Sequence, residues 1–261
     1  MTHVLRRDRR LTIAGLSLVF VITSAYVLLG AGMDMTALDM TRMPRDMAMP
    51  QPDWTPSYAA LMFAMWWLMM TAMMLPSATP VLLLAAALNR RAAPNRRPYG
   101  ATALFACGYL AAWGGFSVVA VAAQAWLSAN GSLASMLHVG EGALAGGLLL
   151  AAGLWQLTPQ KRACLRYCRS PVQFLTAHRR KGAAGAFAMG AEHGAHCVAC
   201  CWLMMALLFV GGIMNLYWIA GLAGYALAEE LLPAGERVAR VTGAILAAVG
   251  IALLASAGVG A

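Results

Sequence analysis

An all-α transmembrane bundle is the fold class this sequence predicts, on three observations: its composition, the length of its apolar runs and the placement of its basic residues. Of 261 residues, 61% are hydrophobic and 11% charged, with a mean hydropathy of +0.67. So little polar surface cannot cover a soluble core of this size. Apolar runs of roughly 20 residues, the length that crosses a hydrocarbon layer, recur about seven times, at 11–31, 57–75 with an apolar continuation to 88, 100–128, 136–157, 184–210, 213–232 and 241–259. With the N-terminus inside, 17 of the 19 Lys and Arg fall on the cytoplasmic side and only Arg42 and Arg45 outside. That split obeys the positive-inside rule, so the net charge of +9 reports topology and gives no reason to invoke nucleic acid. The expectation is one membrane domain over 1–261, multi-pass, in a bacterial inner membrane, with the lipid bilayer as its first partner.

The first span follows Arg6, Arg7, Arg9 and Arg10 and resembles a secretory signal. Its apolar stretch exceeds an ordinary signal core and ends without a small-x-small cleavage site, so it reads as a retained anchor. Next comes an external loop, 32–56, in which Met33, Met35, Met40, Met43, Met47 and Met49 stand among Asp34, Asp39, Asp46 and several prolines. A buried core cannot explain methionines in a polar, proline-broken segment. Thioethers are soft, neutral ligands that favour Cu(I) and need no deprotonation, so the loop reads as a copper collector, against the plainer reading of a flexible loop that uses an adaptable side chain.

The second span carries Met62, Met65, Met69, Met70, Met73 and Met74. Met62, Met65, Met69 and Met73 share a helical face, and Met69/Met73 and Met70/Met74 are pairs four residues apart, able to hold a soft cation between thioethers. The alternative is packing, for which methionine is a ready gap filler. A basic cytoplasmic loop, 89–99, leads to the third and fourth spans, where Gly142, Gly146 and Gly147 suit close helix packing. His138 and Glu141 at the start of the fourth read as a hydrogen-bonded interfacial pair or as a further metal site. A second basic cytoplasmic loop, 158–183, holds Cys164 and Cys168, either as thiols that receive metal or as two thiols at a helix end.

The fifth span is the most informative. His193, His196, Cys197, Cys200, Cys201, Met204 and Met205 follow one another at spacings of 3, 1, 3, 1, 3 and 1, which on an α-helix forms one stripe of soft ligands. Ionisable residues inside a membrane mark function by default. One continuous helix cannot wrap a closed tetrahedral zinc site with all five His and Cys groups. Subsets such as Cys197/Cys201 or His193/Cys197 supply two ligands to low-coordinate Cu(I). Glu229 and Glu230, ending the sixth span near Arg237 and Arg240, read as solvated charge. No cysteine falls in an external loop, so structural disulfides are not expected. No nucleophile, base and oxyanion arrangement and no phosphate loop is legible, so the chain reads as a non-enzyme without catalytic residues.

Three blocks carry a resemblance: Met-Trp-Trp-Leu-Met-Met-Thr-Ala-Met-Met-Leu-Pro-Ser at 65–77, Gln-Leu-Thr-Pro-Gln-Lys-Arg-Ala-Cys-Leu-Arg-Tyr-Cys-Arg-Ser-Pro at 156–171, and the stripe with its continuation at 193–216. Together they resemble, over nearly the whole chain, the DUF2182 family of predicted metal-binding integral membrane proteins. That family includes a branch similar to membrane copper chaperones that activate polyphenol oxidases such as tyrosinase and laccase. The resemblance implies copper delivery to an apo-cuproenzyme client, a polyphenol oxidase or another copper oxidase. Where the family's Gly-x-x-Cys-x-Gly-Cys-Cys block has an aromatic residue before its first Cys, this chain has His196, and Ala199 stands for the second Gly. The expected mechanism is ligand exchange, from the methionine loop through the methionine face to the Cys/His stripe and on to the client. Two rivals use the same residues: a copper transporter releasing inward to Cys164/Cys168, and a membrane thiol-disulfide oxidoreductase.

Overall fold

The computed structural model describes residues 2–42, 53–92, 99–131, 133–134, 138–139, 142–177, 180 and 182–259. It is helical almost throughout: α1 (Thr2–Leu28), α2 (Ala37–Arg42), α3 (Pro56–Ala92), α4 (Tyr99–Ala129), α5 (Ala143–Leu157), α6 (Pro159–Cys168), α7 (Pro171–Ala177), α8 (Gly182–Ala206), α9 (Leu208–Gly211), α10 (Leu216–Leu231) and α11 (Gly235–Val259). Between α4 and α5 lies one antiparallel pair of two-residue strands, β1 (Leu133–Ala134) and β2 (His138–Val139).

Five segments are long and apolar enough to cross a membrane alone: Arg6–Leu28, Pro56–Arg91, Tyr99–Ala129, Gly182–Gly211 and Gly235–Ala257. The other two expected spans are shorter, with 15 residues in α5 and 16 in α10, hence roughly 22–24 Å at 1.5 Å per residue against a hydrocarbon layer of about 30 Å. Apolar content alone set the expected start at 136, whereas the helix begins only after Gly142, whose φ of 147° is open to glycine and not to other residues. It stops at Thr158-Pro159. There the Thr158 hydroxyl accepts the Lys161 N–H at 3.1 Å and Pro159 occupies the first turn of the next helix, a capped restart.

The segment expected as an open basic loop, 158–183, is therefore largely helical, and α6 and α7 pack on the bundle. Lys161 shows no exposed surface, and Leu165, Phe174 and Leu175 are also buried. α3 runs unbroken through Pro76 and Pro80. The hydroxyls of Ser77 and Thr79 donate to the carbonyls of Met74 and Leu75, each at 2.9 Å, so both are satisfied within their own helix.

Two helix pairs hold the bundle at short range. α4 and α8 run parallel, with Gly108 against Phe187 and Ala191, and Gly190 against the Phe105 carbonyl. α5 and α11 run antiparallel, with Gly153 against Ala247 and Gly250 against Leu150. Small residues let backbones approach where lipid supplies no hydrophobic drive between helices. α2, the described part of the methionine loop, is tied to the bundle by the Leu216 N–H, which donates to the Thr41 hydroxyl at 2.9 Å.

A Cβ at residue 190 would run into the Phe105 carbonyl oxygen and its backbone. Gly190→Val is therefore expected to force α4 and α8 apart and destabilise the detergent-solubilised protein by about 1–3 kcal/mol or more, read as a lowered thermal midpoint. Gly147→Ala, where a Cβ meets nothing within 4 Å, should leave the midpoint in place.

Candidate metal centre

Helical periodicity decides which side of α8 faces inward. His193, Cys197, Cys200, Cys201, Met204 and Met205 are all buried, whereas Trp202 is exposed and His196 is half-buried. The soft-ligand stripe thus turns toward the other helices. α4 supplies Phe105 and Tyr109 to its surroundings, α6 supplies Lys161, Tyr167 and Cys168, α7 supplies Phe174 and α10 supplies Glu230.

Thiols from two helices come near one another. The Cys168 side chain lies beside those of Cys197 and Cys200, and interaction with them holds the Cys168 thiol well above the usual cysteine range. Cys201 donates its thiol proton to the Cys197 carbonyl at 3.1 Å. Cys197 also reaches Glu230 Oε1 at 3.6 Å and the Tyr109 hydroxyl at 3.4 Å. That hydroxyl is 3.2 Å from the Met74 carbonyl, so one tyrosine links the thiol stripe to the methionine helix. Cys164, half-buried one turn before Cys168, has its thiol pushed up by burial. All six cysteines are free, and Cys107 is exposed, away from the cluster.

The histidines are set by aromatic neighbours. His193 sits between Phe174, Tyr109 and Phe105, with ring centroids at 5.1, 5.9 and 6.1 Å. Its buried Nδ1 has no hydrogen-bond partner, a state that costs about 1–3 kcal/mol and that a ligated ion would relieve. His196 stacks on Tyr167 at 3.9 Å and places Nδ1 2.8 Å from the Glu192 carbonyl. Donation from Nδ1 leaves Nε2 with the lone pair in the neutral ring, the orientation that second-shell bonds give metal-binding histidines. Tyr167 itself has its phenol pushed up to about 12 by burial.

Beside the thiols lies a buried ion pair. Lys161 Nζ donates to Glu229 Oε2 at 2.8 Å and to the Cys200 carbonyl at 2.9 Å, while Tyr225 donates to Glu229 Oε1 at 2.6 Å and Gln156 to the Tyr225 hydroxyl at 2.8 Å. Burial opposes the lysine charge, but the fields of Cys200 and Glu229 outweigh it and raise the Lys161 pKa above the ordinary value. This corrects the reading of Glu229 and Glu230 as solvated charge. Glu229 is buried and paired with Lys161, and Glu230 faces Cys197. Their adjacency to Arg237 and Arg240 in sequence misled, because the helix periodicity of α10 turns both inward and away from the α11 arginines. Lys161 was legible only as one more basic loop residue, and its partner lies 68 positions away.

Met62, Met65, Met69, Met70, Met73 and Met74 are all buried, five of them without exposed surface. They share one hydrophobic cluster with Cys197, Cys201, Met204 and Met205, and Met33 and Met40 of the segment between α1 and α3 pack against that cluster. Met62 Sδ accepts from Gln124 Nε2 at 3.5 Å, and Gln124 Oε1 accepts from Trp66 at 2.8 Å. Met43, Met47 and Met49, with the side chains of His138 and Glu141, lie outside the described residues, and Met35 is half-buried. Among the described residues no three His, Cys, Asp or Glu side chains converge on a point that could hold one ion. What the arrangement offers are pairs of soft donors at short range, the ligand number suited to low-coordinate Cu(I).

Lys161→Met would strand the Glu229 charge in the core, a change expected to cost about 3–5 kcal/mol. Lys161→Met with Glu229→Gln should recover most of that loss, since the neutral amide keeps an acceptor for Tyr225. Thermal melts of both variants check the difference.

Residues 63–253 match a family model described as copper chaperone, PpoB2, well over half of the chain. The matched stretch holds α6, α8 and the α3 methionines from Met65 onward, and leaves out the methionine-rich segment 32–56. Comparison with curated proteins and with solved structures gave no match.

Proposed function

This chain belongs to the copper chaperone family, and we propose that it is a non-catalytic carrier that holds Cu(I) on the α8 thiols and hands it to an apo-cuproenzyme, a polyphenol oxidase or related copper oxidase, at a bacterial inner membrane. The observation that carries this reading is the burial of Cys197, Cys200 and Cys201 on one side of α8, where Cys197 and Cys201 share a core with buried thioethers. A pair of thiolates binds Cu(I) tightly, and a third thiol beside them offers a route for exchange without releasing the free ion. Each thiol that ligates gives up its proton, and the apolar walls exclude water from the bound metal.

In this mechanism Met33, Met35, Met40, Met43, Met47 and Met49 collect copper outside, and the α3 methionines relay it. Cys197, Cys200 and Cys201 hold it, with His193, His196 and Met204 as further donors, and Cys168 takes part in transfer, with Cys164 one turn away. Every step trades one soft ligand for another. Placing Cys168 in the same centre as the stripe speaks against a separate inward acceptor, which a transporter would need. The same contact gives the oxidoreductase reading its one support, since Cys168 and Cys197 sit on different helices and escape the strain of a disulfide within one helix.

Anaerobic Cu(I) titration of the detergent-purified protein against a chromophoric chelator tests the assignment. Wild type is expected to compete for Cu(I) with its thiols reduced throughout. Cys197→Ser/Cys200→Ser should weaken binding by about 100-fold or more. Cys168→Ser should leave the equilibrium affinity within about tenfold and slow transfer to a thiol acceptor. Equal binding by wild type and the double variant would remove copper from α8, and loss of two thiols per protein on adding a disulfide substrate would favour the oxidoreductase.

A further inference from the structure

Four guanidiniums converge where the end of α6 meets the turn between α10 and α11. Arg166 and Arg169 come from α6 and its C-cap, Arg237 and Arg240 from the first two turns of α11, and all four line one cavity of about 630 Å³. Arg169 is fixed, donating to the carbonyls of Leu232 and Pro233 at 2.6 and 3.1 Å. The carboxylate in the lining, Glu236, stands 4.0 Å from Arg166, and its backbone carbonyl accepts from Arg240 Nε at 3.4 Å. Four positive groups against one negative leave the cavity cationic, and the N-terminal end of α11 adds its dipole. The positive-inside rule explains basic residues at this end of the bundle. It does not explain why segments some 70 positions apart bring theirs into one concave site.

The surface beside the cavity is apolar in a particular register. Arg237 heads a stripe on α11 that continues at four-residue intervals through Val241, Ile245 and Val249, exposed by 60, 58 and 45%, and Leu231 and Leu232 of the preceding turn are about half exposed. A charged head followed by an exposed apolar track is the complement of an amphiphile. Planar guanidiniums bind phosphate oxygens in a fork that carboxylates or halides match less well, and basic pockets among membrane helices bind anionic lipid headgroups. We propose that this cavity seats the phosphate headgroup of an anionic phospholipid, whose acyl chain lies along Val241, Ile245 and Val249. The site is separate from the thiol centre and does not depend on the copper reading.

The test is titration of the purified full-length protein in detergent with phosphatidylglycerol and, separately, phosphatidylcholine, with bound lipid counted by native mass spectrometry. Phosphatidylglycerol should bind the wild type at least tenfold more tightly. Arg166→Gln/Arg237→Gln/Arg240→Gln, which leaves the carbonyl-bonding Arg169 in place, should lose that preference, at roughly fivefold per guanidinium. An arm without variants raises ionic strength from about 0.05 to about 0.5 M, which should weaken phosphatidylglycerol binding and leave phosphatidylcholine unchanged. Equal binding of the two lipids by the wild type, or an undiminished preference in a folded triple variant, overturns the proposal. Displacement of the lipid by inorganic phosphate at matched concentration also overturns it, since the site would then serve a free anion.

Discussion

The Lys161–Glu229 pair is the contact on which the arrangement of the thiols rests. α6 is the most polar of the helices and would gain little by leaving water on hydrophobicity alone. Its inward face has one long cation, and that cation finds both a carboxylate on α10 and a backbone carbonyl of α8. Lys161, Leu165 and Cys168 fall on one side of α6, so seating the first and second carries the third onto Cys197 and Cys200. Buried ion pairs contribute little net stability compared with apolar packing, yet breaking one is costly because the survivor keeps its desolvation penalty. The pair therefore fixes where α6 lies more than it adds to the stability of the bundle.

That constraint also accounts for the break between α5 and α6. A continuous helix through 158 would carry Lys161 past Cys200 in a register set by α5. Thr158 and Pro159 end one helix and start the next within a single residue, letting α6 take its own direction. The Thr158 hydroxyl serves twice, donating to the Trp155 carbonyl at 2.7 Å and accepting from the Lys161 N–H. Irregular backbone within a membrane protein is tolerated where protein surrounds it, and here Trp155, Gln156, Tyr225 and Cys200 do so.

The sequence made the fold class and the α8 stripe legible because both depend on local periodicity. Spacing alone places His193, Cys197, Cys200, Cys201 and Met204 on one face, and the face is buried. Burial of the α3 methionines follows from the same logic. Long-range pairing was not legible. Nothing in the pattern 158–183 distinguishes Lys161 from its six basic neighbours, and a carboxylate next to a helix end looks solvated until its angular position relative to α6 is known. Helix ends were read from apolar content, which is blind to the glycine at 142 and to the Asn215 cap before α10, so two spans came out too long.

The two sulfur chemistries occupy one core for a physical reason. Thioethers cost little to bury and stay neutral at any pH, so six can line α3 without raising the desolvation penalty. Thiols become costly when charged, and here the groups around Cys197 and Cys200 are polar: Tyr109, Glu230, Cys168 and the ammonium of Lys161. A soft cation moving from the methionines to the cysteines would thus pass from neutral donors to donors that can answer its charge. Tyr109 stands at the junction, between the Met74 carbonyl and the Cys197 thiol. In the proposed relay, a gradient of donor charge within a single hydrophobic cluster would give direction to exchange without requiring a channel, and the closeness of α3 to α8 across this tyrosine would then matter more than the affinity of either stripe.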